Sequence, residues 1–219
     1  MVRTKLCGLG TEDDVRAAID AGADAVGFVT DVDVDTPREV APERVADLIE
    51  TVPPFVTTVA VTIPESVGAA VEVAERVDPD AVQIHGEFDA DEVQTIRDRA
   101  GVDVIVALGA DDRERARDLD SVTDALLVDS LTDESAGGTG ETHDWEATRE
   151  LRAELDTPLV LAGGLTPENV REAVETVDPF AVDVASGVER DDEPGRKDHD
   201  ALAAFVREAN RGVEGEAAT

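Results

Sequence analysis

The sequence predicts an α/β protein, a (β/α)8 TIM barrel, on three observations. Eight short apolar runs alternate strictly with eight amphipathic helical patterns, as in a parallel sheet with its helices outside. A turn-then-strand unit recurs as GADAVGFV, DPDAVQIHG, VTDALLVDS and DPFAVDVASG, which reads as a weak repeat of barrel units. The 219 residues carry no Pro/Ser-rich linker, and such a barrel needs about 200. A doubly wound sheet is the alternative, but it more often has five or six strands. One domain is expected over residues 1–210, with a frayed tail, RGVEGEAAT, over 211–219.

The strands are expected at 3–7, 24–29, 56–61, 80–84, 102–107, 124–128, 158–162 and 180–184. The helices are expected at 12–21, 42–50, 65–77, 89–99, 111–119, 144–154, 167–176 and 198–210. In TEDDV, Thr11 is the expected N-cap, with three acids in the first turn that suit the helix dipole. In TPENV, Thr166 is the expected N-cap and Pro167 the first helical residue.

Side chains alternate faces along a strand. Lys5 and Cys7 therefore share one face of the first strand, and Leu6 takes the other. Gln83 and His85 lie opposite Val82 and Ile84, Asp129 lies opposite Val128, and Asp183 lies opposite Val182 and Val184. The outer face packs on helices, so these six polar residues are expected inside. Cys7, His85 and Asp129 come last on their strands, at the rim where barrel enzymes place their active sites. A lone cysteine is usually a small buried hydrophobe. Six polar groups of one parity are hard to explain as packing, because a buried polar group destabilises unless paired.

The composition bounds the function. A single cysteine excludes a disulfide framework and a cysteine zinc cage. No apolar run reaches the ~20 residues of a membrane span. The chain opens on a strand-like segment without a signal-peptide pattern. A cytoplasmic protein is expected. The net charge is −33, with 52 acidic residues spread along the chain. Such self-repulsion destabilises a compact state in dilute salt and is screened in molar salt. The reading is a salt-adapted protein of a halophile. Nucleic acid is not an expected partner, because phosphate contacts need a basic face.

Glycine motifs cluster at strand ends. GLGTED, residues 8–13, lacks the third glycine of a dinucleotide fingerprint and is crowded with acids, so Gly8 and Gly10 read as turn glycines. GGTG (137–140), AGGLTPENV (162–170) and ASGVE (185–189) follow the sixth, seventh and eighth strands. Loops after strands seven and eight are where barrels hold phosphate on backbone N–H groups. A phosphorylated small molecule is the expected ligand.

These residues resemble one family. KLCGL, TPR (36–38), VQIHG, LLVDS, GGTGETHDW, LAGGLTPENV, VDVASGVE and PGRKD occur in order along nearly the whole chain, and together they resemble phosphoribosylanthranilate isomerase. The resemblance implies a tryptophan-biosynthesis isomerase without a cofactor or metal. It implies an Amadori rearrangement of N-(5′-phosphoribosyl)anthranilate to 1-(2-carboxyphenylamino)-1-deoxyribulose 5′-phosphate. It implies Cys7 as general base and Asp129 as general acid. Arg38 would pair with the anthranilate carboxylate, and Asp183 would line the pocket. Gly138, Gly163, Gly164, Ser186 and Gly187 would hold the phosphosugar.

The chemistry requires an acid to open the furanose ring and a base to take the C2′ proton. Asp129 must then carry a proton and Cys7 be partly thiolate. Lys5, one pleat below Cys7, favours the thiolate. The acidic second loop, TDVDVDTPREV, is expected to supply competitors for Arg38. Glu141, His143 and VAVTI (59–63) depart from the family pattern at pocket contacts. Trp145 and Phe180 read as packing residues, His85 as a hydrogen-bonded rim residue, and His143 and His199 as solvated. Gln83 reads as a residue bonded within the barrel. The acid clusters at 12–14, 31–35 and 191–193 read as solvated faces. A monomer or homodimer is expected. The rivals are another phosphosugar isomerase or epimerase barrel, and a non-catalytic phosphate-sensing barrel. A sensor has no need of Cys7 and Asp129.

Overall fold

A computed structural model describes residues 2–129 and 145–214. Gly138, Glu141, His143 and the GGTG loop lie outside the described residues, as do 215–219. Eight parallel strands close into a barrel in sequence order. They are β1 (Arg3–Leu6), β2 (Ala25–Val29), β3 (Thr57–Thr62), β4 (Ala81–Ile84), β5 (Asp103–Gly109), β6 (Ala125–Asp129), β7 (Leu159–Ala162) and β8 (Ala181–Val184). Between and after them run α1 (Glu12–Ala21), α2 (Pro42–Ile49), α3 (Val67–Val77), α4 (Ala90–Ala100), α5 (Arg113–Leu119), α6 (Trp145–Arg152), α7 (Val170–Val177) and α8 (His199–Glu214). After β8 comes a short 3₁₀ turn, Ser186–Val188. It leads into an antiparallel hairpin of β9 (Glu189–Arg190) and β10 (Glu193–Lys197). The sequence reading contains no trace of this hairpin.

The strand parity holds. Leu6, Val82, Ile84, Leu126, Val128, Val182 and Val184 are buried in one cluster with the inner faces of the helices. Inside the wall lie smaller clusters, one of Ala107, Leu127, Val160, Ala162 and Ala181, the other of Cys7, Val59, Val61 and Ala81.

The internal repeat has a structural cause at the N-terminal end of the barrel. Asp24 precedes β2 and accepts the backbone N–H of Thr4 on β1 at 2.8 Å. Asp80 precedes β4 and accepts from Thr58 N and Oγ1 on β3 at 2.8 and 2.7 Å. Asp124 precedes β6 and accepts from Val104 N on β5 at 2.9 Å. Each aspartate thus staples its strand to the one before. Before β8 the corresponding residue is Phe180, 43 % exposed, with the Arg3 guanidinium 4.2 Å from its ring centre. Phe180 is therefore an exposed cation–π partner rather than a packing residue. Replacing Asp80 by alanine orphans the Thr58 N–H and is expected to lower unfolding stability by about 1 kcal/mol; equilibrium denaturation checks this.

Thr11 caps α1 as expected, accepting from Asp14 N at 3.1 Å. Two helix ends differ from expectation. Thr166 is not the cap of α7: it heads a turn, accepting Asn169 N and Val170 N on its carbonyl, and the helix begins at Val170. Pro167 lies in that turn. The C-terminal helix runs to Glu214, so fraying does not begin at 211. Leu202, Phe205, Val206 and Ala209 bury its apolar face, which holds the helix past the expected stop.

No helix among the described residues is long and apolar enough to cross a membrane. The described ion pairs sit mostly at the surface, where each is worth little, and with 52 acids against 19 Lys and Arg most carboxylates have no cationic partner. Raising KCl from about 0.1 M to several molar shrinks the Debye length below the charge spacing. The melting temperature is expected to rise over that range, which calorimetry reads directly.

Candidate active site

The C-terminal mouth of the barrel holds a cavity of about 180 Å³. Cys7, Gln83, His85, Asp129 and Asp183 line it, together with Gly163, Gly164, Ser186 and Gly187. The sequence reading expected Cys7, His85 and Asp129 at the rim, Asp183 and the glycine-loop residues at the ligand, and Gln83 only inside the barrel. Strand parity turns the side chains of Cys7, Gln83, His85, Asp129 and Asp183 inward, and the loops after β7 and β8 bring the glycines and Ser186 to the same cavity.

Lys5 on β1 and Asp183 on β8 are register partners. Their side chains meet as a buried ion pair, Nζ to Oδ1 at 2.9 Å. Burial alone would lower the Lys5 pKa, but the Asp183 carboxylate and Cys7 outweigh it and hold it above its ordinary value. Cys7 stands one pleat above. Burial pushes its thiol up, and the Asp183 carboxylate adds to that, while Lys5 and Lys197 pull it down without winning. The expected partial thiolate is corrected here: Lys5 acts in the expected direction, but its charge is shared with Asp183 and burial prevails. Gly27 on β2 makes room for the pair, since a Cβ there would lie 2.9 Å from Cys7 Sγ and 3.2 Å from Lys5 Nζ.

Burial and the Lys5 charge lower the His85 pKa, so its ring is neutral. Gln83 then donates its Nε2–H to His85 Nε2 at 3.0 Å. Gln83 is buried, and its Oε1 has no partner among the described residues. His199 is not simply solvated: its Nε2 lies 2.9 Å from Asp14 Oδ1. Trp145 is buried, as expected.

The loops after β7 and β8 are in contact. A Cβ on Gly187 would lie 1.9 Å from the Leu165 carbonyl oxygen, so only glycine permits the approach. Arg38 reaches the mouth from the loop after β2 but is already engaged. Its Nε and Nη2 bond both oxygens of Glu189, at 2.7 and 2.9 Å. The competitor is thus a β9 glutamate rather than an acid of its own loop. Lys197 on β10 also donates to Glu189, at 3.0 Å. Sequence reasoning assigned no role to Glu189, Lys197 or Gly27. The available signal was that Lys5 and Lys197 are the only lysines of the chain.

Asp129 ends β6, and Cys7 follows β1; β7 and β8 separate the two strands around the wall. A titratable group therefore stands on each of two sides of one cavity, with glycine-rich backbone between them. Among the described residues no cluster of histidine, cysteine and acid side chains is grouped to hold a metal ion. The fold and this mouth are those of a TIM-barrel enzyme, with two titratable groups on two sides of one glycine-rimmed cavity.

The family model described as N-(5′-phosphoribosyl)anthranilate (PRA) isomerase matches residues 4–208, and the chain belongs to that family. An N-(5′-phosphoribosyl)anthranilate isomerase from Halorubrum lacusprofundi is 56 % identical over 214 residues, covering 98 % of this chain and 99 % of that one. The crystal structure of phosphoribosyl anthranilate isomerase from Thermotoga maritima is 40 % identical, with a TM-score of 0.85 over 96 % of this chain and all of that one. A crystal structure of the isomerase with reduced 1-(o-carboxyphenylamino)-1-deoxyribulose 5-phosphate is 37 % identical, with a TM-score of 0.81 over the same shares.

Proposed function

We infer that this chain isomerises N-(5′-phosphoribosyl)anthranilate to 1-(2-carboxyphenylamino)-1-deoxyribulose 5′-phosphate, an aldose–ketose rearrangement in tryptophan biosynthesis. Family membership across the whole barrel carries the reading. The alternatives, another phosphosugar isomerase or a phosphate sensor, are not favoured. Cytoplasmic location suits such a biosynthetic step.

The roles of the residues are our proposal. The backbone N–H groups of Gly163, Gly164, Ser186 and Gly187 hold the phosphate, a solution open to a chain with two lysines. Asp129 protonates the furanose oxygen, the C1′–O bond breaks to free the C4′ hydroxyl, and the anilino nitrogen's lone pair makes the protonated Schiff base. Cys7 then removes the C2′ proton from its own side of the cavity, giving an enolamine that tautomerises to the ketone. Arg38, oriented by Glu189, receives the anthranilate carboxylate. The unpartnered Gln83 Oε1 accepts from a sugar hydroxyl, and Asp183 holds Lys5 under Cys7.

The base must be a thiolate, and Cys7 is shifted upward in the free protein. kcat/KM is therefore expected to rise with pH through neutrality, because deprotonation of a raised thiol continues above its ordinary range near 8.5. A pH–rate profile that is flat from pH 6 to about 9 contradicts the assignment. Arg38→Ala is expected to raise KM about tenfold or more, since it removes a charge-assisted bond to substrate. Steady-state kinetics separates this from a kcat effect.

One barrel is expected to suffice for activity, whether the protein is monomeric or a homodimer. Sedimentation velocity reads that state, and specific activity is expected to stay constant across any dissociation. The direct test of function is the purified chain in multimolar KCl with chelator present and substrate made from anthranilate and phosphoribosyl pyrophosphate. Conversion to the ketose supports the reading, and a folded protein without conversion overturns it.

A further inference from the structure

Both lysines of a 219-residue chain act on one thiol. Everywhere else the basic side chains are arginines. Lys5 is committed to Asp183, and that pair sums to zero charge. Lys197 is placed differently. Its side chain is 0 % exposed, and its Nζ donates to the Ala185 carbonyl at 2.8 Å and to Glu189 Oε1 at 3.0 Å. Glu189 is itself nearly enclosed and also accepts from Arg38 and from Gly195 N, the latter at 3.0 Å.

The hairpin that carries Lys197 is pressed onto the loop that carries Arg38. Gly195 adopts φ +84°, and a Cβ there would lie 2.7 Å from the Pro37 carbonyl oxygen. Burial lowers the Lys197 pKa against the opposing pull of Glu189; while Lys197 is protonated, the charges of Arg38, Glu189 and Lys197 sum to one positive charge. A Cβ on Gly8, the residue after Cys7, would lie 2.9 Å from Arg38 Cδ and 3.4 Å from Lys197 Nζ, so this cluster borders the thiol.

We propose that Lys197 is a positioning residue for the isomerase reaction: it clamps Glu189, and through it Arg38, at the mouth, and it leaves that cluster one positive charge in excess beside Cys7. The proposal deepens the isomerase reading and rests on it. Arg38 alone on Glu189 would form a neutral pair, with nothing in excess for a thiolate or a substrate carboxylate. Lys197 supplies the excess from inside the protein, where molar salt screens it little.

The test reads Cys7 and substrate separately. The charges that act on the thiol are Lys5, Asp183 and Lys197; Asp129 and the neutral His85 line the same cavity, and Glu189 bonds both Lys197 and Arg38. Cys7 is the only cysteine, so alkylation by iodoacetamide against pH reports its ionisation without asking for turnover. It is followed in multimolar KCl on the full chain. Lys197→Met is expected to move the alkylation midpoint up by about one pH unit, because the thiolate loses a positive neighbour. KM is expected to rise about tenfold, because Glu189 is no longer clamped by Lys197 and Arg38 is left in a neutral pair with it. In Lys197→Met/Glu189→Gln the cluster again carries one positive charge, on Arg38 alone. The midpoint is expected to return to within a few tenths of a unit of wild type while KM stays high.

A spacer role predicts lower stability with midpoint and KM unchanged, and that result overturns the proposal. Should Lys197→Met fail to fold, Glu189→Gln decides: its midpoint must fall and its KM rise, and an unmoved midpoint overturns the proposal. Absence of turnover in the wild type would overturn the isomerase reading, and the alkylation midpoints would still decide the electrostatic claim.

Discussion

The Cys7→Ala variant is expected to fold and to lose isomerase activity by about three to four orders of magnitude, the share of a general base. Folding survives because the change is small. Cys7 packs inside the barrel against Val59, Val61 and Ala81, and exchanging a thiol for hydrogen there leaves a cavity worth about 1 kcal/mol. No neighbour replaces the base. Lys5 is protonated and bound to Asp183, and the neutral His85 ring is hydrogen-bonded to Gln83. The loss therefore falls on kcat, with KM little changed, since the phosphate and carboxylate sites come from other loops. Turnover that survives the substitution within tenfold removes the thiol as base.

The Asp183→Asn variant is expected to lose about 3 kcal/mol of stability, and salt is expected not to restore it. Lys5 and Asp183 face one another across the β1–β8 register, both buried. Removing the carboxylate leaves an ammonium with no counter-charge in an apolar interior. Surface repulsion is screened in multimolar KCl, but a buried pair is screened far less. The deficit relative to wild type is thus expected to persist from low to high KCl in denaturant titrations. A double substitution, Lys5→Met/Asp183→Leu, recovers most of the stability, because no charge is left uncompensated. Equal deficits in the single and double variants contradict this account of the pair.

The barrel was legible because each strand carries two independent patterns. Alternation sorted Leu6 from Lys5 and Cys7, and Val182 from Asp183, and the repeated Asp-Ala-Val/Leu units marked where even-numbered strands begin. The aspartates that staple the bottom of the barrel produce that repeat. The strand-borne half of the site followed from parity for the same reason. What was not legible depends on contacts distant in sequence. Arg38 and Glu189 are 151 positions apart, and nothing local marks a glutamate as the partner of that arginine. The β9–β10 hairpin is short, polar and glycine-containing, so no hydrophobic period betrays it. The Cys7 shift is a balance of burial and the Asp183 carboxylate against the two ammonium groups of Lys5 and Lys197, and no local reading yields its sign. The α7 start moved to Val170 because the Thr166 carbonyl closed a turn before the helix began.

The central claim is that this chain is an isomerase whose acid and base are Asp129 and Cys7. The most direct measurement is the fluorescence-monitored consumption of N-(5′-phosphoribosyl)anthranilate by wild type, Cys7→Ala and Asp129→Asn, side by side in multimolar KCl. The account predicts turnover by the wild type and losses of about three orders of magnitude or more in each variant, with all three proteins folded. Wild-type rates retained in either folded variant, or no turnover by the folded wild type, would contradict it.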